Sequence, residues 1–165
     1  MDQSVQQAIV GDADFWISWV PAAPFRAWLD YLAAATGYAP EAIAVAAGMT
    51  TGTGRALRQR AYRLRSSDAK RLMSMDIQKL IWDGSRMTEA RLGHQALAVL
   101  GALCPNTAQL SLALGVSAGV AQGLIDGWLP MCRRSVIWHC VALSQRIIHD
   151  RAVIEPDDFD EELTA

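Results

Sequence analysis

The chain has 165 residues, of which 52% are apolar and 19% are charged, and its formal net charge is −2. A composition this apolar excludes a disordered chain. A chain of this length can also bury a hydrophobic core without the help of disulfides. The longest uncharged stretch, residues 92–125, is interrupted by Pro105 and by several polar and glycine residues, so no membrane span is expected. Acids stand near the N-terminus where a secretory signal would carry cations. We therefore expect a cytoplasmic protein with no membrane partner.

Charge is sorted along the chain. Seven of the 15 cations fall within residues 55–71, against a single acid there. The run 155–162 contains six acids in eight positions. A basic cluster is typical of a nucleic-acid footprint, and an acidic terminus is typical of a solvated tail.

Helical periodicity dominates the first half of the chain. Apolar residues from Phe25 recur at spacings of three and four, which predicts a helix. Proline at a helix start, glycine at its end and hydroxyl caps indicate the next elements. The predicted helices run from Phe25, from Glu41 to Ala47, from Thr50 or Thr51 to about Arg60, and from Ser66 or Ser67. The last of these is expected to direct Met73 toward the core, and a turn is expected at 82–85.

The second half reads in the same way. The predicted helices run from Thr88 to about Leu103 with Leu92 on its apolar stripe, from Asn106 or Thr107 to Gly115, from Ser117 to about Gly127, and from Arg133 to Ile148. No segment alternates with period two for long enough to predict a strand. The expected fold class is all-α.

The chain also resembles itself at an offset of about 67 residues. Gly48 then aligns with Gly115, Thr50 with Ser117, and an apolar residue follows each hydroxyl by seven positions. Internal repetition of this kind indicates a fold built from repeated units. A glycine shortly before a hydroxyl cap is typical of the turn in a helix-turn-helix, because glycine readily adopts the left-handed conformation. We therefore predict two repeated helix-turn-helix units packed as a helical bundle. The expected divisions are an N-terminal flap (1–20), a first, basic unit (21–76), a linker (77–87), a second unit (88–148) and an acidic C-terminal tail (149–165).

Residues 24–75 and 90–124 resemble the tandem helix-turn-helix proteins, lambda-repressor-like in each unit, of actinobacteria and their phages. The resemblance covers roughly residues 20–148. It implies a sequence-selective binder of double-stranded DNA, most often a transcriptional regulator.

In that motif the third helix enters the major groove with its N-terminus first. The resemblance therefore implies that the base-reading residues are Thr50, Thr51, Thr53 and Arg55, and that the phosphate-binding residues are Arg58, Arg60, Arg63, Arg65, Lys70 and Arg71. Arginine reads guanine with two hydrogen bonds, and phosphate contacts set register and affinity. Gly54 departs from the motif, which has a branched apolar residue there. Since glycine in a helix costs about 1 kcal/mol relative to alanine, a helix that is loose when free is expected.

The second unit departs further from the motif. Between Ser117 and Gly127 it has no cation and one acid. We interpret it as a packing or dimerisation module, a second DNA reader being the less favoured alternative. The apolar face expected to form a homodimer or partner interface comprises Val136, Ile137, Val141 and Ile147. The alternative function is a non-enzymatic interaction module that binds a regulator or transcription machinery, or self-associates, through this unit.

Chemistry-bearing patterns are few. Cys104, Cys132 and Cys140 form no C-x-x-C pair, so we expect reduced, buried thiols and, even with His139 nearby, no metal site. No nucleophile elbow, phosphate loop or paired-carboxylate arrangement is found. We expect neither catalysis nor a cofactor.

Overall fold

The helical periodicity of the sequence is realised in the computed structural model, which describes residues 18–59, 61–104 and 106–154. These residues are mostly helical, with nine α-helices, one 3₁₀ helix and four strands of three residues each. In chain order the elements are β1 (Trp19–Pro21), α1 (Ala23–Thr36), α2 (Pro40–Ala46), α3 (Thr51–Arg58), β2 (Arg63–Arg65), α4 (Ser66–Met73), α5 (Ile77–Ser85), β3 (Met87–Glu89), the 3₁₀ helix (Ala90–Gly93), α6 (His94–Leu103), α7 (Thr107–Leu114), α8 (Ala118–Ile125), β4 (Met131–Arg133) and α9 (Arg134–Ile154).

The strands correct the all-α expectation. β1 pairs antiparallel with β2, placing Val20 opposite Leu64, and β3 pairs antiparallel with β4, placing Thr88 opposite Cys132. Three residues are too few for alternation to be recognised. Each strand also pairs with a segment far along the chain, so no hairpin turn marks the pair.

The turns between α2 and α3 and between α7 and α8 agree with the sequence. Gly48 and Gly115 have φ of +73° and +67°, the left-handed conformation that glycine adopts without steric cost. Thr50 and Ser117 cap α3 and α8, each accepting a hydrogen bond from the amide three residues later, at 3.1 and 3.3 Å. Asn106 caps α7 through its side-chain oxygen. These predicted helix starts and ends are confirmed. They could be predicted because each depends on a few neighbouring residues.

Several boundaries differ from expectation. Residues 82–85, expected to form a turn, are the end of α5, a helix that fills most of the segment expected to be a linker. Leu80 of α5 is fully buried, so packing stabilises this helix. Thr88 lies in β3, and the helix expected to start there begins at His94.

Two apolar side chains expected to face inward do not. Met73 at the end of α4 is 57% exposed, and Leu92 in the 3₁₀ helix is 67% exposed. Leu92 leaves the predicted stripe because the chain around it forms a 3₁₀ helix, which has three residues per turn.

The buried side chains form two cores that share α9. The first core contains Leu29, Leu32, Ile43, Leu57, Leu72 and Leu80, and the second contains Leu97, Leu100, Leu110, Leu114 and Leu124. From α9, Trp138 and Ala142 enter the first core, while Cys140 enters the second. One helix thereby packs against both halves of the chain.

This packing uses the apolar face on which a homodimer was expected. Val136 and Ile137 are buried in the second core, and Val141 and Ile147 pack against it. Their side chains already have partners within the chain, so no dimer interface is proposed on them.

Among the described residues, no single helix has the length and apolarity of a membrane span. Of the described helices, α7 and α8 taken together are long and apolar enough by length and composition alone, but these two helices meet at a bend of 102°.

Candidate nucleic-acid interface

Helix α3 carries four of the ten predicted DNA-binding residues, a fifth, Thr50, caps it, and the helix packs closely on α2. Gly54 is buried at the crossing of the two helices. A Cβ placed on Gly54 would lie 2.8 Å from the Cβ of Ala44 and 3.5 Å from the Cα of Glu41. A branched apolar residue therefore cannot occupy this position without moving α2 and α3 apart. The departure from the motif at Gly54 has a packing cause.

Arg26 on α1 holds the C-terminal end of α3. Its Nε donates to the carbonyl oxygen of Leu57 at 2.7 Å, and its Nη2 donates to that of Ala61 at 2.8 Å. A cation at the C-terminal end of a helix also interacts favourably with the helix dipole. Because Arg26 lies 31 residues before Leu57, no local sequence pattern indicates this contact.

One flank of α3 faces a groove of about 630 Å³ between α3, the β1–β2 pair and α4. We call it the basic groove and define it by Thr50, Thr53, Arg63, Arg65 and Arg71, which are among its lining residues. The hydroxyl oxygens of Thr50 and Thr53 are 3.0 Å apart at the start of α3. Three cations against one lining acid, Asp68, make this flank electropositive.

The arginines of the basic groove are positioned by neighbours. Arg65 lies over the ring of Trp19, its cross-strand partner, with its guanidinium carbon 5.6 Å from the ring centroid. Arg71 donates to the carbonyl oxygen of Gly48 at 3.0 Å and lies 3.5 Å from an Asp68 carboxylate oxygen. Arg63 and Arg65 are both exposed. These two side chains are therefore available to a phosphate backbone.

The other flank of α3 faces α9 across a groove of about 590 Å³. We call it the α3–α9 groove; its lining residues are Glu41, Arg55, Arg58, Gln59, Arg146, His149 and Asp150. Arg55 Nη2 lies 3.5 Å from the carbonyl oxygen of Gln145 on α9. Arg58 forms an ion pair of 2.8 Å with Glu41, whose side chain is only 11% exposed. Arg55 and Arg58 are thus on the opposite flank from the basic groove.

The structure divides the predicted DNA-binding residues among several places. Thr50, Thr53, Arg63, Arg65 and Arg71 line the basic groove; Arg55 and Arg58 line the α3–α9 groove; Thr51 is half-buried in the first turn of α3; Lys70 is exposed on α4; and Arg60 lies outside the described residues. Trp19 and Arg26 were not among the predicted site residues, although Trp19 was expected to dock on the first unit as part of the N-terminal flap. A prediction of the β1–β2 pair would have placed Trp19 opposite Arg65.

The second half of the chain presents a different surface. The exposed residues of α8 include Ala118, Gly119 and Gln122 and contain no cation. Beside α8 is a groove of about 780 Å³, which we call the apolar groove and define by Met87, Leu112 and Met131. Leu112 is 83% exposed and Met87 is 60% exposed. No carboxylate is among the described residues that line this groove.

The thiols of Cys132 and Cys140 are buried, and His139 is hydrogen-bonded through both ring nitrogens. Burial raises the pKa of the Cys140 thiol to about 12, with a smaller contribution from Cys132, whose own pKa is also raised by burial. His139 Nε2 accepts from the amide of Ala39 at 3.2 Å, and Nδ1 donates to the carbonyl oxygen of Ser135 at 2.7 Å. Within the described part of the chain, no three His, Cys, Asp or Glu side chains come together as metal ligands.

Comparisons of the chain with protein-family models, with curated proteins and with solved structures found no match. The geometry of the site therefore carries the functional assignment.

Proposed function

We propose that the chain is a sequence-selective double-stranded DNA-binding protein, a transcriptional regulator that reads the major groove with α3. The observation that carries this proposal is the basic groove, where the capped start of α3 lies beside Arg63, Arg65 and Arg71. In helix-turn-helix proteins the recognition helix enters the groove N-terminus first, while flanking cations bind phosphates. The basic groove supplies both parts on one flank.

Phosphate binding is supported by two independent features. Arg63 and Arg65 are exposed on β2, and Trp19 restricts where the Arg65 guanidinium can lie. The N-terminus of an α-helix also attracts phosphate through its amides and its dipole. Strand β2 would therefore contact phosphates beside the inserted helix, on the flank that faces the basic groove, and the first amides of α3 would contact a phosphate at the N-terminus of that helix.

Base reading falls to the first turns of α3. Thr50 and Thr53 present hydroxyls that can hydrogen-bond a base edge, and their methyl groups can contact the methyl of thymine. Arg55 would read guanine after leaving the Gln145 carbonyl, a contact that at 3.5 Å is at the limit of a hydrogen bond. Releasing the Arg55 side chain from α9 therefore costs little free energy.

The two-unit organisation belongs to the same proposal. Both β1–α4 and β3–α9 follow one order: a strand, three helices with glycine-and-hydroxyl turns between the second and third, a strand that pairs with the first, and a further helix. In the second series a 3₁₀ turn precedes the first helix. We propose β1–α4 and β3–α9 as the repeated units that the sequence predicts at 21–76 and 88–148, with α5 connecting them.

A second candidate function is an interaction module, and the apolar groove favours it. Exposed leucine and methionine side chains around a groove without lining carboxylates are typical of a protein-binding surface. This role is compatible with DNA binding by the first unit. Leu112→Asp should abolish self-association or partner capture, whereas Leu92→Asp, at a residue of similar exposure outside the groove, should not. Sedimentation of the two variants tests this; if neither changes assembly or partner binding, the candidate function fails.

Fluorescence anisotropy on a random 30-base-pair duplex tests DNA binding. We expect micromolar affinity at about 50 mM salt, reduced about tenfold or more by Arg63→Ala with Arg65→Ala. The matched control, Arg86→Ala with Arg133→Ala, removes the same charge from the second half of the chain and should change affinity less than about twofold. Circular dichroism checks that both variants fold. Equal losses in the two pairs would mean general charge attraction, and no binding by the unchanged chain would refute the proposal.

A further inference from the structure

We infer that the acidic run 155–162, which follows α9, docks in cis on the α3–α9 groove and competes with DNA for α3. The competition rests on the proposed function, whereas the docking itself does not.

Helix α9 ends close to the α3–α9 groove, and the acidic run follows it directly in the chain. Gln145 contacts Arg55 of α3, and the next turn of α9 contributes Arg146, His149 and Asp150 to the lining. Ile154, the last residue of α9, is four residues beyond Asp150. At 1.5 Å per residue this is about 6 Å. The run therefore starts close to one end of the groove.

The groove has cations without carboxylate partners. Glu41 is paired with Arg58. Neither Arg55 nor Arg146 has a carboxylate within 4.0 Å among the described residues, although Asp150 also lines the groove. The six acids of 155–162 are thus complementary in sign to Arg55 and Arg146. Binding there would hold Arg55 on α9 and away from DNA.

The run is long enough to extend over the whole length of α3. Eight extended residues span at most about 26–29 Å, whereas α3, with eight residues, is about 12 Å long. Tethering gives a short segment an effective concentration in the millimolar range. A contact with an intrinsic Kd of about 0.1–0.5 mM is therefore mostly formed within one chain at low salt, and it weakens as salt screens the charges.

Two matched triple variants of the full chain test the competition. Asp157→Asn, Asp158→Asn and Asp160→Asn neutralise the run, while Asp2→Asn, Asp12→Asn and Asp14→Asn make the same changes at the other end of the chain. We expect the first variant to bind a random duplex about three- to tenfold more tightly at about 50 mM salt, the gain shrinking at about 200 mM. The second should change affinity less than about twofold. Equal gains would mean that net charge alone acts, and no gain would remove the competition.

A measurement without DNA tests the docking itself. In two-dimensional amide NMR spectra, neutralising the run should shift the resonances of Arg55, Arg58 and Arg146, and the N-terminal variant should leave them unchanged. Such shifts in a chain that binds no DNA would uphold the docking and refute the proposed function. DNA binding without such shifts would uphold the function and overturn the docking.

Discussion

Replacing Gly54 by alanine should destabilise the fold, whereas replacing Gly52 by alanine should stabilise it. Both glycines lie in α3, and alanine favours a helix over glycine by about 1 kcal/mol. A Cβ on Gly52 has only the hydroxyl of Thr50 nearby, at 3.7 Å. A Cβ on Gly54 would lie 2.8 Å from the Cβ of Ala44, which moves only with the backbone of α2. Overpacking of this kind costs about 1–3 kcal/mol, which offsets or exceeds the gain in helix propensity.

The two variants should therefore differ by about 2 kcal/mol, or about 4–8 °C in Tm for a chain of this size. Thermal unfolding followed by circular dichroism measures the difference. Adding Ala44→Gly to Gly54→Ala removes the close contact and should recover part of the lost stability. If Gly54→Ala is as stable as Gly52→Ala, the close crossing of α2 and α3 is wrong.

Three further predictions concern single side chains. Arg26→Met should lower the unfolding free energy by about 1–3 kcal/mol, since the charged donor to two carbonyls at the end of α3 is lost; unchanged urea unfolding would contradict it. Arg58→Gln should cost no more than about 1 kcal/mol, because the side chain is 52% exposed although its partner Glu41 is not; a larger loss in the same assay would mean a tighter pair. At pH 8 iodoacetamide should label the half-buried Cys104 in the native protein but not Cys140, and mass spectrometry of the alkylated peptides reads this out. Burial raises the pKa of Cys140 from 9.0 in the unfolded chain to about 12 in the folded protein. The thiol therefore ionises first in the unfolded chain as the pH rises, so the free energy of unfolding should be unaffected by Cys140 below pH 9 and should fall between pH 9 and about 12.

The helices and their caps could be predicted from the sequence because they depend on neighbouring residues. Thr50 and Ser117 cap helices through amides three positions away. Gly48 and Gly115 take the left-handed turn that their place between two helices requires. Each of these features is contained in a few consecutive residues.

What could not be predicted depends on contacts between distant segments. β1 and β2 are separated by three helices, and nothing in either three-residue strand marks its partner. The packing of α9 beside α3 brings the Gln145 carbonyl oxygen to within 3.5 Å of Arg55, a contact between segments 90 residues apart that no local pattern indicates. For the same reason the sequence predicts a dimer or partner interface on the apolar face of α9, although the second core covers that face.

Hydrogen–deuterium exchange with and without a 30-base-pair duplex tests most directly the claim that the first unit reads DNA. The proposal predicts that saturating duplex slows exchange in peptides covering 48–66, which hold α3 and β2, and leaves peptides covering 115–133 unchanged. Protection over 115–133 without protection over 48–66 would assign the contact to the second unit and contradict the proposal.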